Sequence, residues 1–367
     1  MSARKSKLQA GVIGLGMGRG HAAGYATHPR CELLAVCDAN LDLAKQIAQK
    51  HGARYVFRDW RKLVEMEELD LLSVATPNYL HARMTIAALK AGKHVLCEKP
   101  MATRLADAEA MVAAARRANK RLMFNMSYRF HPMQQQLHQR ILRGDLGDIY
   151  YSKSHYTRRH GTPGSSRSWF VSKRKAGGGP TVDLGVHAFD LVWWHMGSPK
   201  PTWVLGATFG EIIPHRLGTL GSKDNVDDLV TALVKFTTGQ VVFMEASWEG
   251  HQPGHQGFEI FGTKGGASCW DWESDLKMTL YFDDRKGKPV DVPVEPPRKR
   301  MRAYWHFVDA CLDPRLPMLA SGDECLHVAR VLDAIQRAQK TGKAVRLPTR
   351  RSPRAAKPWR DSLGEGE

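Results

Sequence analysis

The chain has 367 residues, 43% of them hydrophobic and 25% charged, ordinary proportions for a soluble globular protein long enough to form two domains. No stretch reads as a membrane span, and the six cysteines are scattered without a C-x-x-C pair, so neither a zinc site nor a disulfide framework is expected and the thiols read as free in a cytoplasmic protein. The net charge of +17 is spread along the chain, with runs at 5–7, 298–302 and 350–360 that carry no regularly interleaved aromatics; it reads as a solvated basic surface, which leaves attraction of an anionic substrate open and excludes nucleic acid as an expected partner.

Residues 8–13 (LQAGVI) read as a buried strand running into GLGMGRGH. At such a turn, glycines let the backbone approach a pyrophosphate and the next helix offers its free N–H groups. Gly14 and Gly16 fit a G-x-G-x-x-G pattern, but Arg19 stands at the third position with Gly18 and Gly20 on either side, so the turn is one residue short. The strand over 32–37 ends at Asp38, an acid placed to accept from the adenosine ribose hydroxyls and to repel a 2′-phosphate. With no Arg following it, NAD is favoured over NADP.

A helix over 41–51 follows, then an apolar strand over 69–75 ending in Thr76, Pro77 and Asn78, and a helix opened by His81. A strand over 93–97 is closed by Glu98, Lys99 and Pro100. A helix over 105–119 and a strand near 122–125 complete an alternation that predicts a parallel, doubly wound Rossmann sheet. Its ligand lies beyond the carboxyl ends of the strands, where Asp38, Thr76 and Lys99 fall.

Past residue 126 the pattern changes. After a helix over 132–142, long strands are expected at 148–158, 201–213, 227–236, 240–248, 258–263 and 276–282, with a hairpin signal at 236–240. This half reads as an α/β domain built on a mostly antiparallel sheet with few helices. One sheet face is left open, through which a homodimer or homotetramer is expected. The loop 159–179 embeds Trp169 beside Phe170, a pair suited either to covering a site or to anchoring the core.

Residues 177–190 read GGGPTVDLGVHAFD. Pro180 suits the first turn of a helix, and Val182, Val186, Phe189, Trp193 and Met196 make one apolar stripe before Gly197, Ser198 and Pro199 end it. Asp183, His187 and Asp190 fall on the other side, and Gly185 leaves room for something flat to approach. Further on, His251 and His255 invite a metal but lack a third ligand at a suggestive spacing, so no metal is expected. A proline-rich connector (289–297), helices over 299–312 and 322–340, and an aperiodic basic tail close the chain. The domains are set at 1–126 and 127–347, with 348–367 as the tail.

Taken together, the glycine turn, Asp38, Thr76-Pro77, Glu98-Lys99-Pro100 and GGGPTVDLGVH resemble the Gfo/Idh/MocA oxidoreductase family over roughly residues 8–347. The resemblance implies an N-terminal Rossmann domain, a C-terminal open-faced α/β domain, a nicotinamide cofactor between them, and sugars, cyclitols or their derivatives as substrates. It implies Lys99, Asp183 and His187 as the catalytic trio. Gly14, Gly16, Met17, Gly18, Asp38, Thr76, Pro77, Asn78, His81, Glu98 and Lys99 are assigned to the cofactor, and Arg129 and Trp169 join Asp183 and His187 on the substrate side. In that reading His187 takes the hydroxyl proton during hydride transfer, with activity rising through an ionisation near neutrality. Lys99 stabilises the developing oxyanion, and Asp183 orients its neighbours. A glycosidase-like enzyme working through tightly held NAD and an NAD-binding regulatory protein are the alternatives.

Overall fold

The computed structural model describes residues 7–163, 169–219, 221–271, 277–295 and 301–348. In its first half, six strands alternate with helices: β1 (Leu8–Ile13), α1 (Gly18–Thr27), β2 (Cys31–Cys37), α2 (Leu41–His51), β3 (Tyr55–Phe57), α3 (Trp60–Glu65), β4 (Leu71–Val74), α4 (Asn78–Lys90), β5 (His94–Cys97), α5 (Leu105–Ala118) and β6 (Leu122–Phe124). They form one parallel sheet in the order β3-β2-β1-β4-β5-β6. All four residues of β4 are buried, as a strand covered on both faces requires. The order reverses between β1 and β4, which opens a crevice at their carboxyl ends.

The second half runs α6 (Pro132–Leu142), β7 (Ile149–Thr157), α7 (Lys173–Ala176), α8 (Pro180–Asp183), α9 (Gly185–His195), β8 (Pro201–Phe209), α10 (Ile212–Arg216), β9 (Leu229–Phe236), β10 (Val241–Ser247), β11 (His255–Gly262), β12 (Gly266–Trp270), β13 (Lys277–Asp283), β14 (Pro289–Pro293), α11 (Ala303–Leu312), α12 (Gly322–Thr341) and β15 (Val345–Arg346). Its sheet has the order β14-β13-β12-β11-β7-β10-β9-β8-β15. Among the described residues only β7 and β10 are parallel neighbours in it, so their carboxyl ends lie side by side.

Alternation decides which face is covered. Val230, Ala232, Val234, Val242, Met244 and Ala246 are buried on the side where α9 and α12 pack. On the opposite side Leu205, Phe209 and Tyr281 stay exposed. The last helices tie the halves together, since α11 packs on α1 and α12 on α5.

Several expected elements differ. The helix expected from Pro180 is two, with a break at Leu184, and every residue of α9 is buried. It therefore has no polar face, and Asp190 enters the core. The strand expected to reach 213 stops at Phe209, because the Asp228 carboxylate accepts from the N–H groups of Ile212 (2.5 Å) and Ile213 (2.9 Å) and so starts α10. The proline-rich connector contains β14, an edge strand paired only to β13, a position where proline costs no ladder bond. The basic tail from residue 349 onward, and most of the charge runs at 5–7 and 298–302, lie outside the described residues.

Candidate active site

The first side of the site is the turn between β1 and α1. Gly14 has φ +84°, and a Cβ there would meet the Ala75 carbonyl oxygen at 2.6 Å, so only glycine fits. Gly18 carries the close helix-to-strand packing: a Cβ would meet Val12 Cγ1 at 2.9 Å and Ala75 Cβ at 3.3 Å. Gly20 faces the Tyr304 hydroxyl instead. A Cβ at Gly16 would meet nothing within 4 Å, and α1 begins with no side-chain cap and no acid in its first turn. An open backbone cradle with unclaimed N–H groups fits a pyrophosphate.

Asp38 stands at the end of β2. One carboxylate oxygen accepts from Leu15 N (2.6 Å) and the other from Asn40 N (2.8 Å), which fixes it beside the glycine turn, where a ribose would lie. Met17 is 71% exposed over that turn, and Thr76 and Pro77 are half-buried at the end of β4.

Three residues assigned to the cofactor are committed elsewhere. His81 is fully buried, with its ring nitrogens 2.8 Å from the carbonyls of Pro100 and Thr76; it joins the two turns and has no nitrogen left for a ligand. Asn78 is buried and donates to the Ala176 carbonyl (2.8 Å), bridging to the second half. Glu98 is a buried anion beneath the Lys99 turn, bonded to His21 (2.9 Å) and Asn125 (2.7 Å). Burial opposes its charge, but His21, Asn125 and Lys99 outweigh burial and hold the carboxyl down at about 2.

Across the crevice α8 brings in the second side. Its N-terminus is pinned by Asp227, which accepts from Gly179 N (2.8 Å), Thr181 N (3.0 Å) and Thr181 Oγ1 (2.5 Å). Lys99, at the end of β5 and before a cis bond to Pro100, donates to Asp183 Oδ1 (2.8 Å) and to the Asp183 carbonyl (3.2 Å). Asp183 Oδ2 accepts from the Trp248 indole (2.9 Å). Burial would raise the Asp183 carboxyl, yet Lys99 and the two hydrogen bonds keep it below the usual range.

His187 lies one turn on, 8% exposed, with the Tyr128 ring perpendicular to it (88°) at 4.8 Å. Burial first, then the Lys99 cation, push its imidazole down to about 3 against the pull of Asp183. The ring is therefore neutral throughout the physiological range, and the ionisation expected near neutrality is displaced well below it. Gly185 leaves no space for a ligand: a Cβ there would meet Met244 Cε at 2.9 Å, so its bareness serves packing on β10.

Arg129 is not a substrate residue. It is fully buried, paired with Asp190 (2.6 and 2.8 Å) and Glu324 (2.8 Å), and stacked near Trp193 and Trp194. It locks the 3-10 turn Ser127–Phe130 to α9 and α12, and thereby places Tyr128 against His187. Trp169 stacks on Phe170 (4.0 Å, 23°) in the turn Trp169–Val171, and Phe170 packs on the core.

Four residues that sequence reasoning passed over belong to the site. Trp248 follows β10 and Arg158 follows β7, its parallel neighbour, with Arg158 N bonded to the Ser247 carbonyl (2.9 Å). Arg158 also donates to the Tyr156 hydroxyl (3.1 Å), which lies 3.1 Å from the Tyr128 hydroxyl. Adjacent strand ends would have pointed to Trp248 and Arg158 had the parallel pairing been foreseen. Nothing local marks Tyr128 and Tyr156.

Two family models match the chain: an oxidoreductase family with an NAD-binding Rossmann fold at residues 8–126, and a GFO/IDH/MocA C-terminal domain at 134–268. D-glucoside 3-dehydrogenase of Escherichia coli is 29% identical over 93% of this chain and 98% of its own length. Levoglucosan dehydrogenase of Pseudarthrobacter phenanthrenivorans is 32% identical over 76% of this chain and 78% of its own. A solved levoglucosan dehydrogenase in complex with NADH and levoglucosan, 26% identical, superposes with a TM-score of 0.81 over 93% of this chain and 99% of that one.

Proposed function

We propose, for a chain that belongs to the GFO/IDH/MocA oxidoreductase family, that it oxidises a secondary ring hydroxyl of a sugar, a sugar glycoside or a cyclitol, with NAD as hydride acceptor. The observation that carries this reading is the junction itself: Lys99 Nζ lies 2.8 Å from Asp183 Oδ1 at the end of β5, with the neutral His187 one turn away. The cofactor would be held by Gly14, Gly16 and Gly18 at its pyrophosphate and by Asp38 at its ribose, with residues 1–126 forming the domain that binds it and 127–347 the domain that binds the substrate. Bound there, a nicotinamide supplies the acceptor for the hydride.

The chain's own residues manage the proton and the charge. His187, neutral and desolvated, accepts the hydroxyl proton. Lys99 donates a hydrogen bond to the substrate oxygen as it gains negative charge. Asp183 balances the Lys99 cation, and the Trp248 indole fixes the carboxylate that does so. Tyr128 limits the rotation of the His187 ring. Asp38, with both oxygens already set by backbone donors, favours NAD over NADP because a 2′-phosphate would meet its charge.

The relatives are dehydrogenases of D-glucosides and of levoglucosan, which favours a pyranose ring and neither of the alternative readings. Free thiols at all six cysteines suit a reducing, cytoplasmic setting. A second copy of the chain is the proposed cover for the open sheet face. Purified protein with NAD is tested against glucosides, levoglucosan, free aldoses and inositols by absorbance at the NADH band. Turnover of at least one ring alcohol supports the reading, and none with any member of the panel, by protein that binds NAD, counts against it.

A further inference from the structure

Beside the strand end that carries Trp248, three side chains with metal-ligating atoms converge from two segments, His160 from one and Glu249 and His251 from the other. The Glu249 side chain is only 2% exposed. Its Oε1 accepts from Arg216 Nη2 (2.9 Å), Thr162 Oγ1 (2.6 Å) and Thr162 N (3.3 Å). Its Oε2 meets His160 Nδ1 at 2.9 Å. His251 brings a second imidazole, 5.5 Å from the His160 ring between centroids. Its backbone sits at φ +51°, uncommon outside glycine, in the turn that returns it to Glu249. One ligand atom from each of the three lies within 4.8 Å of the others, and among the described residues no other group of three His, Cys, Asp or Glu converges so closely.

The carboxylate is divided in a way that hydrogen bonding between two residues does not require. One oxygen is held by three donors and the other meets the His160 imidazole, as outer donors orient a carboxylate ligand. Two imidazole nitrogens and one carboxylate oxygen make a set suited to a borderline divalent ion. We propose that His160, Glu249 and His251 form a binding site for a divalent transition-metal ion of the zinc type, with water completing the coordination.

The role of the ion is mechanical. His160 and Thr162 belong to the segment that follows Arg158, and Glu249 follows the residue whose indole holds Asp183. A metal joining them fixes the 158–162 segment to the end of β10, and no step of hydride or proton transfer passes through it. The Arg216 guanidinium lowers the affinity without closing the site, because it occupies the oxygen that faces away. The sequence pointed to one of the three ligands, His251; His255 instead stacks between His155 and Trp270, 4.8 Å from each.

The test uses the full chain, stripped of metal, titrated with zinc chloride alone by calorimetry. Wild type and His255→Ala are expected to show one saturable site of equal affinity. His160→Ala and His251→Ala, both at exposed positions, are expected to weaken it by about tenfold or more and to lose the rise in melting temperature that zinc gives wild type. No saturable site in the wild type, or undiminished binding in both variants, overturns the proposal. Neither readout depends on dehydrogenase activity.

Discussion

The two sides of the crevice hold their reactive groups by different means. On the Rossmann side, the groups nearest the glycine turn and the end of β4 take their position from backbone: Asp38 is fixed by the N–H groups of Leu15 and Asn40, and His81 sits between the carbonyls of Thr76 and Pro100. On the other side it comes from side chains far apart in sequence, with Trp248 on Asp183, Tyr128 on His187, and Arg129 on Asp190 and Glu324. A cofactor site of the first kind is a local product of strand, turn and helix. A substrate site of the second kind depends on the whole domain being packed, so damage to that packing reaches the chemistry while a surface change at the cofactor turn does not reach the fold.

Acid exposes this contrast most strongly. Burial pushes His187 and His138 down to about 3 and His94 and His306 to about 4, from an ordinary 6.5; only His94 belongs to the Rossmann sheet. Above pH 6.5 these rings are neutral whether the chain is folded or not. As pH falls below that, the unfolded chain takes up protons that the folded one refuses, so stability drops by up to about 1.4 kcal/mol per pH unit for each ring. The melting temperature should fall steeply between pH 7 and pH 5, and a flat profile there would show that these imidazoles are not sealed from water.

Arg129→Leu is the next largest change. It leaves Asp190 and Glu324 facing a buried site without their cation and should cost about 3–5 kcal/mol, read by urea unfolding. A loss below about 1 kcal/mol would mean that the arginine is not the lock described here. Asp38→Ser acts on the other side, where it should narrow the preference for NAD over NADP by about tenfold and cost less unfolding stability than Arg129→Leu. Wild type that binds NADP more tightly contradicts the role given to Asp38. The smallest effect on the site itself is expected from Leu205→Asp with Phe209→Asp on the open sheet face. Light scattering should find wild type as a dimer or tetramer and the double variant as a smaller species.

The sequence reveals the first side far better than the second, for a physical reason. A nucleotide turn is written within a few residues, so Gly14, Asp38 and the Lys99 turn could be placed from spacing alone, and α2 matches its expected bounds. Positions set by contact between distant segments leave no such mark. Arg129 reads as a substrate residue because nothing near it in the sequence shows that Asp190 and Glu324 will meet it. The break at Leu184 was hidden by an apolar stripe that runs through it. β12 (Gly266–Trp270) is short and small in its side chains, and β14 is framed by prolines, so both escaped a reading based on strand composition.

The central claim is that Lys99, Asp183 and His187 act as one catalytic group at the junction of the two sheets. It is tested most directly by the turnover of His187→Ala, Lys99→Met and the double variant on a ring alcohol that wild type oxidises, followed at the NADH band, with NAD affinity measured alongside. Each single variant should lose about a hundredfold or more in kcat while binding NAD as wild type does, and the double variant should lose less than the two losses combined. Near wild-type turnover in both single variants, with the fold intact, would contradict the claim and leave the three residues a structural cluster.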